Sequence, residues 1–225
     1  CFPDDHGLMP GTGIKAPLAA AAEQTMRKNN RERILKTARQ LLPRYGYNGI
    51  SIRAIAEKAK LTTGAIYFHF KDKMDIYKTI CFEAIDILVG NFRARMESRK
   101  TPSQKLISIY DSYIDFFYNY QDHYNILMEY KAHYDQDVKD DYIEVTKKLS
   151  EMYDPMEETI REGIRDGSFR TIDPRMLSVL LMAVTEGMLQ LRKLGIFDYL
   201  KITDSDFRKF MGDTIGRGIM NDRTK

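Results

Sequence analysis

The residues from Thr62 to Phe70, TTGAIYFHF, bring hydroxyl, aromatic and imidazole groups together in one short stretch. If this stretch is helical, Ile66 and Phe70 lie one turn apart and can pack inward. The outward face then carries Thr63, Ala65, Phe68 and His69. A helix that only faces water gains nothing from such a surface. These groups can instead contact base edges and thymine methyl groups in a DNA groove.

A second short helix is predicted immediately upstream, from the helical spacing of Ile52, Ile55, Ala56 and Ala59. Ser51 and Thr62 each precede a helix, where a hydroxyl can accept hydrogen bonds from free backbone N–H groups. Lys60 and Leu61 form a short break between the two helices. Two short capped helices joined by a tight turn are typical of a helix-turn-helix that enters a DNA groove.

The positions of the polar residues predict their roles on DNA. Hydroxyl groups that can donate to phosphates, without reading sequence, belong to Ser51, Thr62 and Tyr67. Lys73 can pair with a further phosphate, and Gly64 permits close approach of the backbone. Arg53 can reach a phosphate or a guanine edge. The alternative is that Tyr67 and Phe70 belong only to the core, and for Phe70 we adopt that interpretation.

The stretch GYNGISIRAIAEKAKLTTGAIYFHFKDK resembles the N-terminal DNA-binding domain of tetracycline-repressor (TetR) family regulators. The family pattern has a Gly-Tyr, a Ser or Thr that opens a helix, an Ile-Ala pair, and a hydroxyl-x-Gly-x-apolar-Tyr-x-x-Phe-x-x-Lys signature. Within residues 31–80 the matching positions are Gly46, Tyr47, Ser51, Ile55, Ala56, Thr62, Gly64, Ile66, Tyr67, Phe70 and Lys73. Pro43 departs from the pattern and predicts a kink or an early end of the preceding helix. Ala65 stands where many members carry a hydroxyl.

The resemblance favours a phosphate contact for Tyr67, and it implies a homodimer formed by the last two helices. A symmetric dimer predicts a pseudo-palindromic operator in double-stranded DNA. No strand pattern occurs, so we expect an all-α fold with an N-terminal three-helix helix-turn-helix domain and a C-terminal helical domain. The predicted segments are a flexible arm at 1–26, the DNA-binding domain at 27–73, and the ligand-binding and dimerisation domain at 74–225.

The charge distribution supports a separate DNA-binding domain at residues 27–73. Residues 27–73 contain twelve Lys and Arg against three acidic residues, a net charge of +9, whereas residues 74–225 have a net charge of −4. A basic block beside a mildly acidic remainder is typical of nucleic-acid readers, although a solvated charged surface is the simpler alternative. No apolar run approaches the length of a membrane span. The two cysteines, Cys1 and Cys81, form no disulfide framework, which favours a cytoplasmic protein.

Helix starts are predicted at Thr101-Pro102, Asp154-Pro155 and Asp173-Pro174, where a capping residue precedes a proline. The last of these opens MLSVLLMAVTEGMLQL, which is apolar on nearly every side and must therefore be buried on nearly every side. A small domain can cover only one of its faces, so we expect a second copy to cover the other. The companion helix has a predicted apolar face of Phe207, Phe210, Met211, Ile215 and Ile219.

Many Tyr and Met residues of the C-terminal domain suggest a cavity for a lipophilic small molecule, because buried phenols need hydrogen-bond partners. For any one of them, ordinary core packing is the stronger interpretation. The resemblance implies a pocket among the middle helices. Its predicted lining is Tyr113, Phe117, Tyr120, Met128, Tyr134, Met152, Met182 and Glu186. We expect Glu186, an acid within an apolar helix, to pair with a buried Arg or Lys rather than with a cationic ligand.

No catalytic arrangement, phosphate-binding loop or metal motif is recognisable, so we predict no enzyme activity, no cofactor and no metal. The hypothesis is a ligand-responsive homodimeric DNA-binding regulator, a repressor that a lipophilic molecule releases from its operator. The alternative is a DNA-binding regulator whose packed C-terminal domain responds to a protein partner or to no ligand. A further alternative is an enzyme or carrier with a vestigial helix-turn-helix.

Overall fold

The computed structural model describes residues 15–132 and 139–221, with side chains within 24–130 and 143–221. Every regular element in these ranges is helical. The one extended pairing there is an isolated antiparallel bridge between Phe169 and Met220. The prediction of an all-α fold is confirmed.

The helices in chain order are α1 (Lys15–Gly49), α2 (Ile52–Ala59), α3 (Thr63–Tyr67), α4 (Lys73–Glu97), α5 (Pro102–Asn119), α6 (Gln121–Ala132), α7 (Lys139–Ser150), α8 (Asp154–Arg165), α9 (Pro174–Lys193), α10 (Ile196–Leu200), α11 (Asp204–Met211) and α12 (Arg217–Ile219). A π-helical turn, Gly212–Gly216, connects the last two. Backbone contacts divide the chain into two units, Cys1–Ile76 and Tyr77–Lys225. Of the segment predicted as a flexible arm, residues 15–26 are helical, and residues 1–14 lie outside the described ranges.

The first unit is built around α1, whose buried residues Ile34, Leu35 and Ala38 face α2 and α3. Pro43 lies inside α1, and the helix breaks three residues later at Gly46, with φ 67° and ψ 170°. Glycine adopts this backbone conformation readily because it has no Cβ. The predicted kink is therefore present, and the residue that provides it is Gly46.

In the second unit, α5 packs against α8 and α9. Thr101 and Asp173 cap α5 and α9 as predicted, with side-chain oxygens that accept bonds from Gln104 N (3.2 Å) and Met176 N (2.9 Å). The prediction that Asp154 caps α8 is wrong. Tyr153 precedes α8 in a helical conformation and makes no side-chain cap bond, because the chain continues from α7 through helical turns.

Candidate nucleic-acid interface and interior cavity

Two side-chain caps define the turn between α2 and α3. The Ser51 hydroxyl accepts a bond from Ala54 N, and the Thr62 hydroxyl accepts one from Ala65 N, both at 3.1 Å. Lys60 ends α2 in the left-handed region, at φ 54°. Both predicted caps are confirmed. Since each hydroxyl accepts through a lone pair, its own O–H remains able to donate to another group.

All ten residues predicted to contact DNA are at least partly accessible. The exposed members are Ser51, Arg53, Thr62, Thr63, Gly64, Tyr67 and Phe68, and the half-buried ones are Ala65, His69 and Lys73. Tyr67 is 58% exposed, whereas Phe70 is 2% exposed and belongs to the core as expected. Ile66 is also buried and holds α3 against the unit. The structure thus brings all ten predicted DNA-contacting residues together in one unit.

Lys73 has a structural role that the sequence did not indicate. Its Nζ donates to the carbonyl oxygens of Tyr47 (2.6 Å) and Ile50 (3.0 Å) and lies 4.1 Å from the centre of the Tyr47 ring. Burial lowers the pKa of this amine. Lys73 therefore connects the start of α4 to the end of α1 and to Ile50, which follows it. A phosphate contact from this position would use its third N–H.

Three arginines of α1, Arg27, Arg31 and Arg33, lie beside α2 and α3. The sequence left open a minor-groove role for Arg27, Lys28 and Arg31, with chain flexibility as the stronger interpretation, and it assigned no site to Arg33. Arg33 Nη2 donates to Ala59 O at 2.6 Å, at the C-terminal end of α2. A positive charge is stabilising there because the last carbonyl groups of a helix carry partial negative charge. The Arg27 and Arg31 guanidinium carbons lie 4.9 and 5.3 Å from the ring centres of Phe68 and Phe70. In the sequence they are indistinguishable from the other members of the basic block, because a long-range contact has no local signature.

The second unit contains a cavity of about 360 Å³ between α5, α8, α9 and the segment from α11 to α12. Its walls are mainly apolar and include Leu106, Ile109, Met156, Leu181, Met182 and Ile215. Of the predicted lining residues, Tyr113 and Met182 border this cavity. Those that do not border it are Phe117, Tyr120, Met128, Met152 and Glu186, and Tyr134 lies outside the described residues.

Glu186 lies behind the cavity wall and accepts three hydrogen bonds. The donors are Tyr113 Oη (2.7 Å), Tyr124 Oη (2.8 Å) and Gln190 Nε2 (2.7 Å). The expected pairing with Arg or Lys is wrong: within the described ranges, no cation forms an ion pair with this carboxylate. Burial and the charge of Glu186 raise the pKa of both phenols. The hydroxyls of Tyr113 and Tyr124 therefore supply hydrogen bonds to the Glu186 carboxylate, and both phenols remain neutral donors.

The outer face of α9 is apolar and exposed. Met176 and Leu194 are 68% and 75% exposed, and Leu180 and Leu191 are exposed between them. Ala183 and Gly187 lie on the same face. The companion face was predicted less well: Met211, Ile215 and Ile219 border the cavity, while Phe210 points away and is 66% exposed.

Comparisons with known proteins identify both units. Residues 34–80 match the description "Bacterial regulatory proteins, tetR family", and residues 99–190 match "Tetracyclin repressor-like, C-terminal domain". The chain belongs to the TetR family. The resemblance seen in the helix-turn-helix is thereby confirmed, and the family match extends over much of the second unit.

Individual TetR relatives are more distant. The HTH-type transcriptional repressor KstR2 of Mycolicibacterium smegmatis is 22% identical over 142 residues, which is 63% of this chain and 68% of that protein. An HTH-type transcriptional regulator of Staphylococcus aureus strain USA300 is 35% identical over 66 residues, 29% of this chain and 36% of its own length. The crystal structure of AibR in complex with isovaleryl coenzyme A and operator DNA has a TM-score of 0.58 at 19% identity. That alignment covers 69% of this chain and 83% of AibR.

These relatives are transcriptional regulators rather than enzymes. Within residues 15–132 and 139–221, no helix has the length and hydropathy needed to cross a bilayer. The same ranges contain no group of three or more His, Cys, Asp or Glu side chains that could hold a metal ion.

Proposed function

We propose that this TetR-family protein is a homodimeric repressor that binds a pseudo-palindromic operator and releases it when a mostly apolar small molecule enters the second unit. The observation that carries the proposal is the cavity of about 360 Å³ in the second unit. The first unit of the same chain exposes α3, which has a side-chain cap at its start. Membership of a family of transcriptional regulators supplies the context. A packed second unit, the main alternative, would lack such a cavity.

On DNA, α3 enters the major groove and the surrounding hydroxyl groups bind the backbone. Ser51, Thr62 and Tyr67 donate to phosphates and fix the register, since phosphate contacts carry no sequence information. Thr63 and His69 read base edges. Gly64 has only the Thr62 hydroxyl near the position of a missing Cβ, at 3.8 Å, so the space above it admits the DNA backbone.

Dimerisation covers the exposed face of α9. Met176, Leu180, Leu191 and Leu194 recur at helical spacing along this face, with Gly187 near its middle. Among the described residues, and apart from the backbone of α9 itself, no atom lies within 4 Å of a Cβ placed at Gly187, so packing within the subunit does not require a glycine there. A second copy crossing closely at this position explains both the glycine and the exposed leucines. Two copies place two α3 helices on successive half-sites of one duplex.

The effector is an elongated molecule with an apolar body and a polar end. Ser103 and Tyr113 both line the cavity and are ten residues apart on α5, a distance of about 15 Å along the helix. The polar end of the effector would meet the polar side chains of the lining, such as Ser103 and Thr185. A volume of this size is within the range of small-molecule sites.

Effector binding weakens DNA binding by population shift. The effector favours a conformation with a different tilt of α4, the helix that begins in the first unit and continues in the second. A coupling free energy of about 3 kcal/mol would lower operator affinity by more than a hundredfold.

The proposal is tested by selecting bound sequences from a random duplex library and measuring affinity for the selected duplex by fluorescence anisotropy. We expect a palindromic sequence, dimers in multi-angle light scattering, and release of DNA by lipophilic compounds that raise the melting temperature. Leu191→Glu should give monomers, whereas Ile143→Glu, an exposed apolar position on α7, should not. A monomeric wild type, or a chain that binds no duplex, would overturn the proposal.

The assigned roles on DNA have a separate test. Tyr67→Phe should weaken binding to all duplexes evenly, and Thr63→Ala should change the preferred sequence. Equal effects of both substitutions on selected and shuffled duplexes would contradict the division between positioning and reading.

A further inference from the structure

The α1 helix extends the first unit beyond the part that matches the family. The family match begins at residue 34, whereas α1 begins at Lys15 and has described side chains from residue 24. Arg27, Lys28 and Arg31 lie on this extra stretch; we call them the basic ridge. Their spacing of one and then three residues places Arg27 and Arg31 one helical turn apart, with Lys28 next to them.

The basic ridge is held against the end of α3. The Arg27 guanidinium lies 4.9 Å from the Phe68 ring centre, and the Arg31 guanidinium lies 5.3 Å from that of Phe70. Both distances are within the range of cation–π contacts. With Phe68 and His69, the three basic residues line an open groove. A basic helix face is usually only solvated, but here two rings fix the cations beside the helix proposed to enter DNA.

The electrostatic effect of the ridge is visible on its neighbour. Burial, followed by the charges of Arg31 and Arg27, lowers the pKa of His69. The lowered pKa favours the neutral imidazole, and the ridge places positive charge beside this end of α3. Arg27 and Lys28 are exposed, and Arg31 is half-buried. Their charged groups are thus accessible to a large polyanion.

We propose that the basic ridge is a second DNA-contacting element, which binds backbone phosphates next to the half-site read by α3. The ligand class is the phosphodiester backbone of duplex DNA, bound without regard to base sequence. In this arrangement the Phe68 ring supports Arg27. The expected contact of Phe68 with a thymine methyl is then replaced by a contact of Arg27 with phosphate. This inference depends on the proposed DNA binding and extends it to residues outside the helix-turn-helix.

The proposal predicts a change in salt dependence. Each phosphate neutralised in B-DNA contributes about 0.9 to the slope of log affinity against log salt concentration. Three contacts in each subunit of a dimer would contribute a slope of about 5. Removing the ridge should therefore weaken binding strongly, and by the same factor for different sequences.

The test compares the full-length chain with the triple variant R27A/K28A/R31A, using anisotropy titrations between about 50 and 200 mM KCl. We expect at least about tenfold weaker binding and a slope smaller by about 3 to 5, on both selected and shuffled duplexes. The matched control K147A/R165A/R170A removes three exposed charges from the second unit and should retain the wild-type slope. Circular dichroism and thermal unfolding establish that each variant is folded.

A second measurement locates the contact. Shortening the duplex by several base pairs on each side of the selected palindrome should weaken the wild type and leave the triple variant unaffected. The proposal is overturned if the triple variant has the wild-type slope, or if both triple variants lose the same amount. It is also overturned if a single-stranded RNA of equal length competes as well as the duplex. If the wild type binds no duplex, the failure lies with the proposed function rather than with the ridge.

Discussion

The two units of this protein differ in how far apart along the chain their functional residues lie. In the first unit, the surface of α2 and α3 is shaped by bonds that span three residues, such as Ser51 to Ala54. In the second, the cavity and the hydrogen-bond network behind it depend on residues separated by long stretches, such as Tyr113 and Glu186. The surface of α3 proposed to read DNA is exposed and separate from the core. The cavity wall combines core residues such as Ile109 with exposed ones such as Ile107, so only some changes in the wall should also alter stability.

The largest effect that this comparison predicts is at Glu186. Glu186→Ala leaves the buried Tyr113 and Tyr124 hydroxyls without their acceptor, and bonds to charged groups contribute about 1.5–3 kcal/mol each. For two such bonds we expect the free energy of unfolding in urea to fall by about 3–6 kcal/mol at fixed protein concentration. Glu186→Gln, which keeps one acceptor, should lose less. Unchanged stability in the alanine variant would mean that the network does not hold the second unit together.

A smaller effect is expected where α8 meets the buried Phe169. A Cβ at Gly163 would lie 2.2 Å from Cδ2 of Phe169, so Gly163→Ala overpacks the core. Such overpacking costs about 1–3 kcal/mol. Gly90 lies within α4, and a Cβ placed there would meet no other described residue outside the helix backbone within 4 Å. Gly90→Ala should therefore stabilise by about 0.5–1 kcal/mol. Thermal melts of the two variants should move in opposite directions, and a shared direction would contradict the packing described for Gly163.

Matched caps in the two units offer the sharpest comparison. Thr62→Ala and Thr101→Ala each remove one side-chain cap, at the start of α3 and of α5, and each should cost about 1 kcal/mol. Only Thr62→Ala should also weaken DNA binding, because in the proposed complex its hydroxyl additionally donates to a phosphate. Urea unfolding and anisotropy on the same preparations measure both quantities. Equal losses of DNA affinity in the two variants would show that the effect is one of stability alone.

The same contrast explains what could be predicted from the sequence. The caps at Ser51, Thr62, Thr101 and Asp173 were predictable because a cap involves residues only three apart. The all-α fold and the exposed face of α3 follow equally from local periodicity.

The second unit was less predictable because helical spacing identifies inward residues but not those that border a cavity. Tyr113 borders the cavity, whereas Phe117, one turn later on the same helix, packs its ring edge-to-face on Tyr124. The partners of Glu186 were missed for a similar reason. Two tyrosines from α5 and α6 satisfy it, and no spacing within α9 shows which side chains lie opposite. For Arg27 and Arg31 the sequence favoured a flexible arm over a DNA contact, because nothing in it indicates that these side chains lie against Phe68 and Phe70.

The smallest predicted effect is a shift in the pKa of His69. Its measurement needs no DNA and therefore tests the first unit alone. Since the Arg31 charge helps to lower this pKa, Arg31→Ala should raise it toward the ordinary histidine value of about 6.5. Arg27→Ala should raise it by less. A depressed folded-state pKa favours the neutral imidazole, so its contribution to stability is complete above pH 6.5 and is lost as the pH falls through the folded-state value. Arg31→Ala and Arg27→Ala should therefore lose less stability as the pH falls from 6.5 through the folded-state pKa.

Histidine NMR titrations measure the pKa of His69 in each variant, with Lys36→Ala on the same helix as the control. An unchanged His69 pKa in both variants would place the basic ridge away from α3.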